Sequence, residues 1–518
     1  MTSIAPPTII PPSHALDGDK QSTRRQPHAI VIGSGFGGLA AAVRLGARGY
    51  RVTVLEKCDS PGGRARVFRQ DGFSFDAGPT IITAPFLFDE LWEMCGRKLS
   101  DDVELRPVSP FYRIRFDDGE VFDYTGDADA MRRQVARFEP ADVDGYDRFL
   151  KTSQEACRIG FEERGHVSFA RWQTMAVMVP EMLKAKAHRS VASVVASHFR
   201  NTRLRTVFSF HPLLIGGNPF SVSAIYCLVA FLERQWGVHF AMGGTFSLVQ
   251  GLIGLIEGQG GTVRLGAEVA EILVERGNAT GVRLADGEHV HADIVVSNAD
   301  SAWTYRHLIA PRHRKRWTDR KIAKARYSMS LFVWYFGTDR TYPDVSHHTI
   351  LLGERYKALL ADIFRHHVLS DDFSLYLHRP TATDPSLAPE GCDSFYVLSP
   401  VPHLDSGTDW KTQAEGYRQL IAAYLSATVL PGLEAAIVSS KMMTPQDFQD
   451  ELHAYKGAAF SLEPVITQTA YFRPHNKSEE IGNLFLVGAG THPGAGVPGV
   501  LSSARVLDEV VPHADALV

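Results

Sequence analysis

His28-Ala-Ile-Val-Ile-Gly-Ser-Gly-Phe-Gly-Gly-Leu39 is the stretch that decides the fold. Residues 28–32 are a short apolar run rich in β-branched side chains; Gly33, Gly35 and Gly38 follow in GxGxxG spacing, and Leu39 to Leu45 has helical character. The order predicts strand, tight turn, helix. Gly33 permits the turn, Gly35 lets the backbone approach a pyrophosphate, and Gly38 lets helix and strand pack closely, with the helix N-terminus facing the anion. A second apolar run, Arg51-Val-Thr-Val-Leu55, ends in Glu56, about twenty residues on, where a carboxylate accepts hydrogen bonds from a ribose. A carboxylate in that place points to a free 2′-hydroxyl, hence FAD or NAD and not NADP.

The rest of the composition sets bounds on this reading. A chain of 518 residues is too long for one core and long enough for two or three packed subdomains. Lys plus Arg number 54 against 58 Asp plus Glu, a net charge of −4, so no basic field argues for nucleic acid. Cys58, Cys95, Cys157, Cys227 and Cys392 are scattered, with no CxxC pair and no metal-ligand spacing. That pattern fits a reducing cytoplasm, lacks the dithiol of a disulfide reductase and predicts no metal site. Residues 1–27, with Pro6, Pro7, Pro11 and Pro12, read as a disordered tail. Arg24-Arg25 before an apolar run mimics a twin-arginine export signal, but that run is the cofactor strand itself, and cleavage would destroy it. No run of eighteen apolar residues is present, which excludes a spanning helix and leaves peripheral attachment open.

Further motifs extend the likeness. Pro61-Gly-Gly-Arg64 and Gly72-Phe-Ser-Phe-Asp-Ala-Gly-Pro-Thr80 resemble the extension that flavoproteins of the amine oxidase and carotenoid desaturase superfamily place after the ribose Glu. The resemblance implies Gly63 and Arg64 beside the cofactor phosphates. Short strands with turn residues between them run from Gly261 to Ala299; here the resemblance implies a backbone contact from Val269 to the adenine. Asn483-Leu-Phe-Leu-Val-Gly-Ala-Gly-Thr-His-Pro-Gly-Ala-Gly-Val-Pro-Gly-Val500 is again a strand entering a glycine-rich turn, with a helix from about Leu501. Its glycines expose backbone to a flat ring, and a helix N-terminus there stabilises negative charge on a reduced flavin.

This last string is similar, residue by residue, to the signature of the bacterial-type phytoene desaturases, including Asn483, Gly488, Thr491, His492, Pro493, Gly494 and Gly496. Phe208 to Phe220, Phe373 to His378, Ser399 to Leu404 and Ala470 to Asn476 also look like segments of that family, so the likeness covers nearly everything after the tail. It implies non-covalent FAD, with Gly488, Gly490, Thr491, Pro493 and Gly494 at the flavin end, and a long, water-insoluble polyene as substrate. Ser502 departs from the glycine that many members carry, which leaves the backbone angle there open.

The remaining expectations concern chemistry and surroundings. No second strand-GxGxxG-helix unit is present, so electrons leave for oxygen or a membrane quinone, and the resemblance favours quinone. No cysteine lies near the C-terminal motif, which argues against a covalent flavin. Thr206 to Leu232 carries no charged residue and is broken by Pro212, Gly216, Gly217 and Pro219, which suits two apolar helices lining a tunnel or dipping into one leaflet. Arg312 to Arg326 carries eight Lys or Arg with Trp317, and a basic, aromatic-bearing helix can dock on anionic headgroups. Desaturation removes a hydride and then a proton. The proton acceptor is not identifiable; of His211, His378, His403 and His492, His492 is the best placed by motif.

The expected fold is α/β. A Rossmann-like FAD domain is assembled from 28–100, 241–310 and 456–512; a mixed-sheet substrate domain comes from 101–140 and 311–455, and a helical apolar subdomain from 141–240. The expected location is the cytoplasmic face of the inner membrane. Alternatives are a desaturase or isomerase of another carotenoid, a small-substrate flavin amine oxidase, and a flavin-free prenyl-binding escort. Retention of both Glu56 and the ring-side glycines disfavours the escort.

Overall fold

The computed structural model describes residues 25–517; most of the expected tail, residues 1–24, and Val518 lie outside the described residues. A five-stranded, fully parallel sheet runs in the order Leu484–Leu486, Ile294–Ser297, His28–Ile32, Arg51–Leu55, Thr262–Arg264. Its central strands, His28–Ile32 and Ile294–Ser297, read as near-continuous apolar runs because both faces are buried. Alternate residues face opposite cores. Ala29, Val31, Val52, Val54 and Val296 pack on the helices Phe36–Ala47, Phe246–Gly258 and Val497–Arg505, whereas Ile30, Ile32, Leu55 and Val295 pack beneath an antiparallel three-stranded sheet of Val269–Glu275, Asn278–Leu284 and His289–His291.

Register sets where the ligand site lies. Ile32 pairs with both Leu55 and Ser297, and Ser297 pairs with Leu486, so Gly33, Glu56, Asn298 and Val487 all leave the sheet at one edge. In an open parallel sheet that carboxyl edge is where ligands bind.

A seven-stranded mixed sheet stands beyond it, with Ser330–Thr338 between Ile437–Met443 and Asp393–Val401, then Leu375–His378, His348–Leu351, Tyr112–Arg115 and Val121–Tyr124. Along its nine-residue central strand, Phe332, Trp334 and Phe336 pack toward the helix Trp410–Thr428, and Leu331, Val333 and Tyr335 point the other way. On that second side lies a helical layer that includes Ala128–Phe138, Val143–Cys157, Thr202–Ser209 and Leu228–Trp236. Its Tyr146, Phe149, Phe199 and Phe208 share one aromatic core with Tyr112, Phe122 and Tyr124 of the sheet.

Two expectations need correction. The uncharged stretch from Thr206 to Leu232 is not two α-helices: it comprises the end of one helix, 3₁₀ turns at His211–Ile215 and Ala224–Cys227, and the start of Leu228–Trp236. Pro212 removes a backbone donor and Gly216 takes φ +74°, which ends the first turn. The basic stretch forms an α-helix only over Asp319–Lys324, after a 3₁₀ turn at Pro311–His313, and Trp317 is buried with its Nε1 3.2 Å from Glu479. Its indole fills a core and is not free for a headgroup. Ser502 lies buried inside the helix Val497–Arg505, so no left-handed residue is required there.

Candidate functional site

A cavity of about 540 Å³ begins at the carboxyl edge of the parallel sheet and continues between the mixed sheet and the helical layer. Its first part is lined by the three glycine-bearing turns, at Gly33 to Gly37, Gly62 to Arg64 and Gly488 to Val500. Its second part is almost wholly apolar, with Phe210, Leu213 and Ile225 facing Leu331, Val333 and Leu398.

The first turn has little freedom to change. Gly33 takes φ +91°, and a methyl group on Gly38 would stand 2.1 Å from the Gly33 carbonyl oxygen, which is backbone and cannot move aside. Glu56 is buried on the cavity wall. Its Oε2 accepts from the Ser34 N–H at 2.9 Å and the Ser34 hydroxyl at 2.6 Å, and its Oε1 accepts from the Cys58 N–H at 2.9 Å. An ionised carboxylate has about four acceptor positions, so one remains for a ribose hydroxyl.

Arg64 sits on the wall with Nε and Nη2 buried and without hydrogen-bond partners, and across from it Asp300 leaves Oδ2 in the same condition. Burial holds the Arg64 guanidinium below its usual range, offset by the Asp300 charge, and pushes the Asp300 carboxyl up. Unused donors on a buried cation are costly unless an anion meets them. A nucleotide phosphate at this place satisfies them, so the residues present fit a dinucleotide-like cofactor.

The sequence-predicted site residues fall into two groups. Gly33, Gly35, Glu56, Gly63, Arg64, Val269, Gly488, His492 and Pro493 line the cavity together. Gly38, Gly490, Thr491 and Gly494, also expected at the cofactor, are not among the lining residues and stand behind the wall, with Gly38 at the close helix–strand contact that its spacing predicts. Thr491 is fully buried and donates from Oγ1 to the Pro474 carbonyl at 2.6 Å. A side chain added at Gly490 would meet Ser301 at 2.3 Å, and Gly494 takes φ +133°, so packing restricts the first and backbone conformation the second.

His492, the proton acceptor suggested by its motif, lines the cavity. Its Nε2 lies 3.2 Å from the Arg164 carbonyl and so carries the hydrogen of that bond, while burial lowers the ring to about 4. Such an imidazole resists taking a second proton at neutral pH.

Three features were missed in the sequence. The Asn298 amide packs against Gly33, Gly35, Gly37 and Gly488, joining the first and last glycine turns; its signal was its position at the end of Ile294–Ser297, the carboxyl edge of a strand. His347, His348 and His378, far apart in sequence, come together with potential ligating atoms within 4.8 Å of one another, although no metal spacing was legible. His348 and His378 are direct cross-strand partners, and His348 Nδ1 is 2.7 Å from the hydroxyl of Tyr376, a cavity-wall residue. Burial pushes both imidazoles well below their ordinary range, so they are neutral. Glu233, fully buried, lines the apolar part of the cavity.

Comparison with known proteins gives a consistent set of relatives. The family model for flavin-containing amine oxidoreductases matches residues 36–506. The neurosporene-forming phytoene desaturase of Cereibacter sphaeroides is 50% identical over 491 residues, covering 94% of this chain and 95% of that protein. The lycopene-forming phytoene desaturase of Pantoea ananas is 48% identical over 476 residues, covering 92% and 97%. Among solved structures, an oxidoreductase from Methanosarcina mazei aligns with a TM-score of 0.61 at 18% identity, covering 93% of this chain and all of that one. A putrescine oxidase solved with putrescine aligns with a TM-score of 0.64 at 15% identity, covering 94% and 100%. These two structural likenesses speak for the fold alone.

Proposed function

Because this chain belongs to the flavin-containing amine oxidoreductase family, and within it to the bacterial phytoene desaturases, we propose that its cavity holds FAD at the glycine-lined end and a linear polyene along the apolar end. The enzyme is an oxidoreductase that desaturates phytoene toward neurosporene or lycopene. The observation that carries this reading is the change of wall along one continuous cavity, from glycine turns with an unsatisfied Arg64 to an apolar tunnel between sheet and helices. A hydrocarbon offers nothing to hydrogen-bond, so its site must bind by apolar burial and shape.

In this reading Glu56 accepts from the ribose, Arg64 meets the phosphates, Gly33, Gly35 and Gly63 admit the backbone-close pyrophosphate, and Val269 meets the adenine. Gly488 and Pro493 flank the ring. When bound, FAD supplies the two-electron acceptor for a hydride, chemistry no side chain offers. Non-covalent attachment is supported by the cysteines: Cys58, on the cavity wall, lies at the ribose end, and burial pushes its thiol up.

No helix among the described residues is long and apolar enough to cross a membrane. Peripheral attachment is favoured by the helix Trp172–Lys184, whose Met178 and Met182 face the cavity while Trp172 and Val177 are 63% and 69% exposed. Phe472, half-exposed, lies on the turn that packs against this helix. Apolar side chains on the outer face of a cavity wall suit a leaflet from which a hydrocarbon enters. A membrane quinone is the electron acceptor this arrangement favours over oxygen.

Expression in a bacterium that accumulates colourless phytoene tests the reading. New long-wavelength polyene bands, with FAD released from the purified protein by denaturation, are expected; unchanged phytoene would refute it. Anaerobic turnover restored by added quinone separates quinone from oxygen.

A further inference from the structure

The desaturase reading leaves one group on the cavity wall without a role. Glu233 has no exposed surface and is among the residues that line the apolar part of the cavity. Its Oε1 accepts from the Tyr112 hydroxyl at 2.6 Å and its Oε2 lies 3.1 Å from His211 Nε2. Burial, and next the Glu233 charge, push Tyr112 well above the ordinary phenol range, so that hydroxyl remains a donor. Among the described residues no Arg or Lys pairs with Glu233.

The other carboxylates on the wall are engaged at the nucleotide end. Glu56 is held by Ser34 and Cys58, Asp300 accepts from the Ala302 and Trp303 N–H groups, Glu451 pairs with Arg66, and Glu268 lies 3.5 Å from His453. Glu233 alone of these faces the apolar wall. Burying a carboxylate costs several kcal/mol even when it is hydrogen-bonded. A hydrocarbon substrate has no polar atom to reward that cost. The only polar species its oxidation creates are a carbocation and a proton.

We propose that Glu233 is the base of the desaturation, an inference that rests on the desaturase reading. One C–H bond breaks with both electrons leaving as hydride to the oxidised flavin, and the remaining cation is delocalised over the adjoining double bonds. The neighbouring C–H bond then breaks; its electron pair becomes the new π bond and its proton forms an O–H bond on the Glu233 carboxylate. Before that transfer the carboxylate also stabilises the developing cation. Tyr112 and His211 are positioning residues that hold the two carboxyl oxygens in place.

The test uses flavin-loaded full-length enzyme with phytoene in liposomes. Glu233→Gln keeps size and hydrogen-bonding capacity but not the base. It is expected to retain bound flavin and thermal stability while its rate of conjugated-polyene formation, which requires that proton to leave, falls at least about 100-fold, the range of a lost general base. Glu233→Asp, which retains a carboxylate, is expected to recover part of that loss. A Glu233→Gln rate within about threefold of wild type overturns the proposal. Should Glu233→Gln fail to hold flavin, infrared difference spectra of the wild-type enzyme decide: anaerobic addition of phytoene is expected to produce the carbonyl band of a newly protonated buried carboxyl, and its absence overturns the role. A wild-type enzyme that leaves phytoene unchanged refutes the desaturase reading itself, a result separate from either of these.

Discussion

Asp76 offers a quantitative test of how the fold holds its cofactor edge. Its carboxylate is buried behind the second glycine-bearing extension, accepts from the Thr245 N–H at 2.9 Å ahead of the helix Phe246–Gly258, and leaves Oδ2 without a partner. Burial raises it from 3.8 to about 7, with the backbone donors opposing and Asp384 adding to the rise. A carboxyl whose folded value is raised binds its proton more tightly in the folded state. Between pH 3.8 and about 7 the unfolded chain therefore holds fewer protons, and stability falls as pH rises through that window. The full difference, 7 − 3.8, is about 3, and at 1.36 kcal/mol each it amounts to about 4 kcal/mol lost by pH 8. Asp76→Asn keeps an acceptor for Thr245 and removes the titration. Thermal midpoints of flavin-loaded wild type and variant, measured from pH 5 to 8, are expected to diverge, with wild type losing stability relative to Asp76→Asn as pH rises. Parallel curves across that range would refute the burial argument.

Other perturbations probe other parts of the molecule. Gly38→Ala places a methyl group 2.1 Å from the Gly33 carbonyl oxygen and is expected to cost 1–3 kcal/mol or more and to yield protein without flavin, read from the absorbance of the purified variant. Arg64→Gln, losing a charge-assisted bond to phosphate worth about 1.5–3 kcal/mol, is expected to weaken flavin affinity roughly tenfold or more by fluorescence titration, with the fold intact by circular dichroism. Trp172→Asp combined with Val177→Asp is expected to abolish flotation with liposomes while sparing flavin content, since each apolar side chain contributes about 1.5–3 kcal/mol when buried in lipid; unchanged flotation would exclude this helix as the attachment surface.

What the sequence determined by itself was the local grammar of the cofactor edge. GxGxxG after an apolar run, Glu56 after the next, and the glycine-dense string from Gly488 are each dictated within a few residues of chain, because positive φ, close backbone approach and a strand end are local demands. The α/β class followed from the same alternation, since a strand buried on both faces must be apolar throughout. The roles of Gly33 at the turn and Gly38 at the helix–strand contact were legible in their spacing, whereas those of Gly490 and Gly494 were not, because they back onto Ser301 and Arg473 from distant segments. The uncharged stretch after Thr206 announced burial but not its form, because Pro212 and Gly216 turned expected helices into 3₁₀ turns against the tunnel. Trp317 looked like a surface anchor until the fold set Glu479 against its indole. Asn298 reaches Gly488 only because parallel strands end in register, and His348 meets His378 only as a cross-strand pair. Glu233, 121 residues from Tyr112 and 22 from His211, is one acid among many in the sequence. Tertiary structure alone takes it out of water, sets its two oxygens against Tyr112 and His211 and places it on the cavity wall.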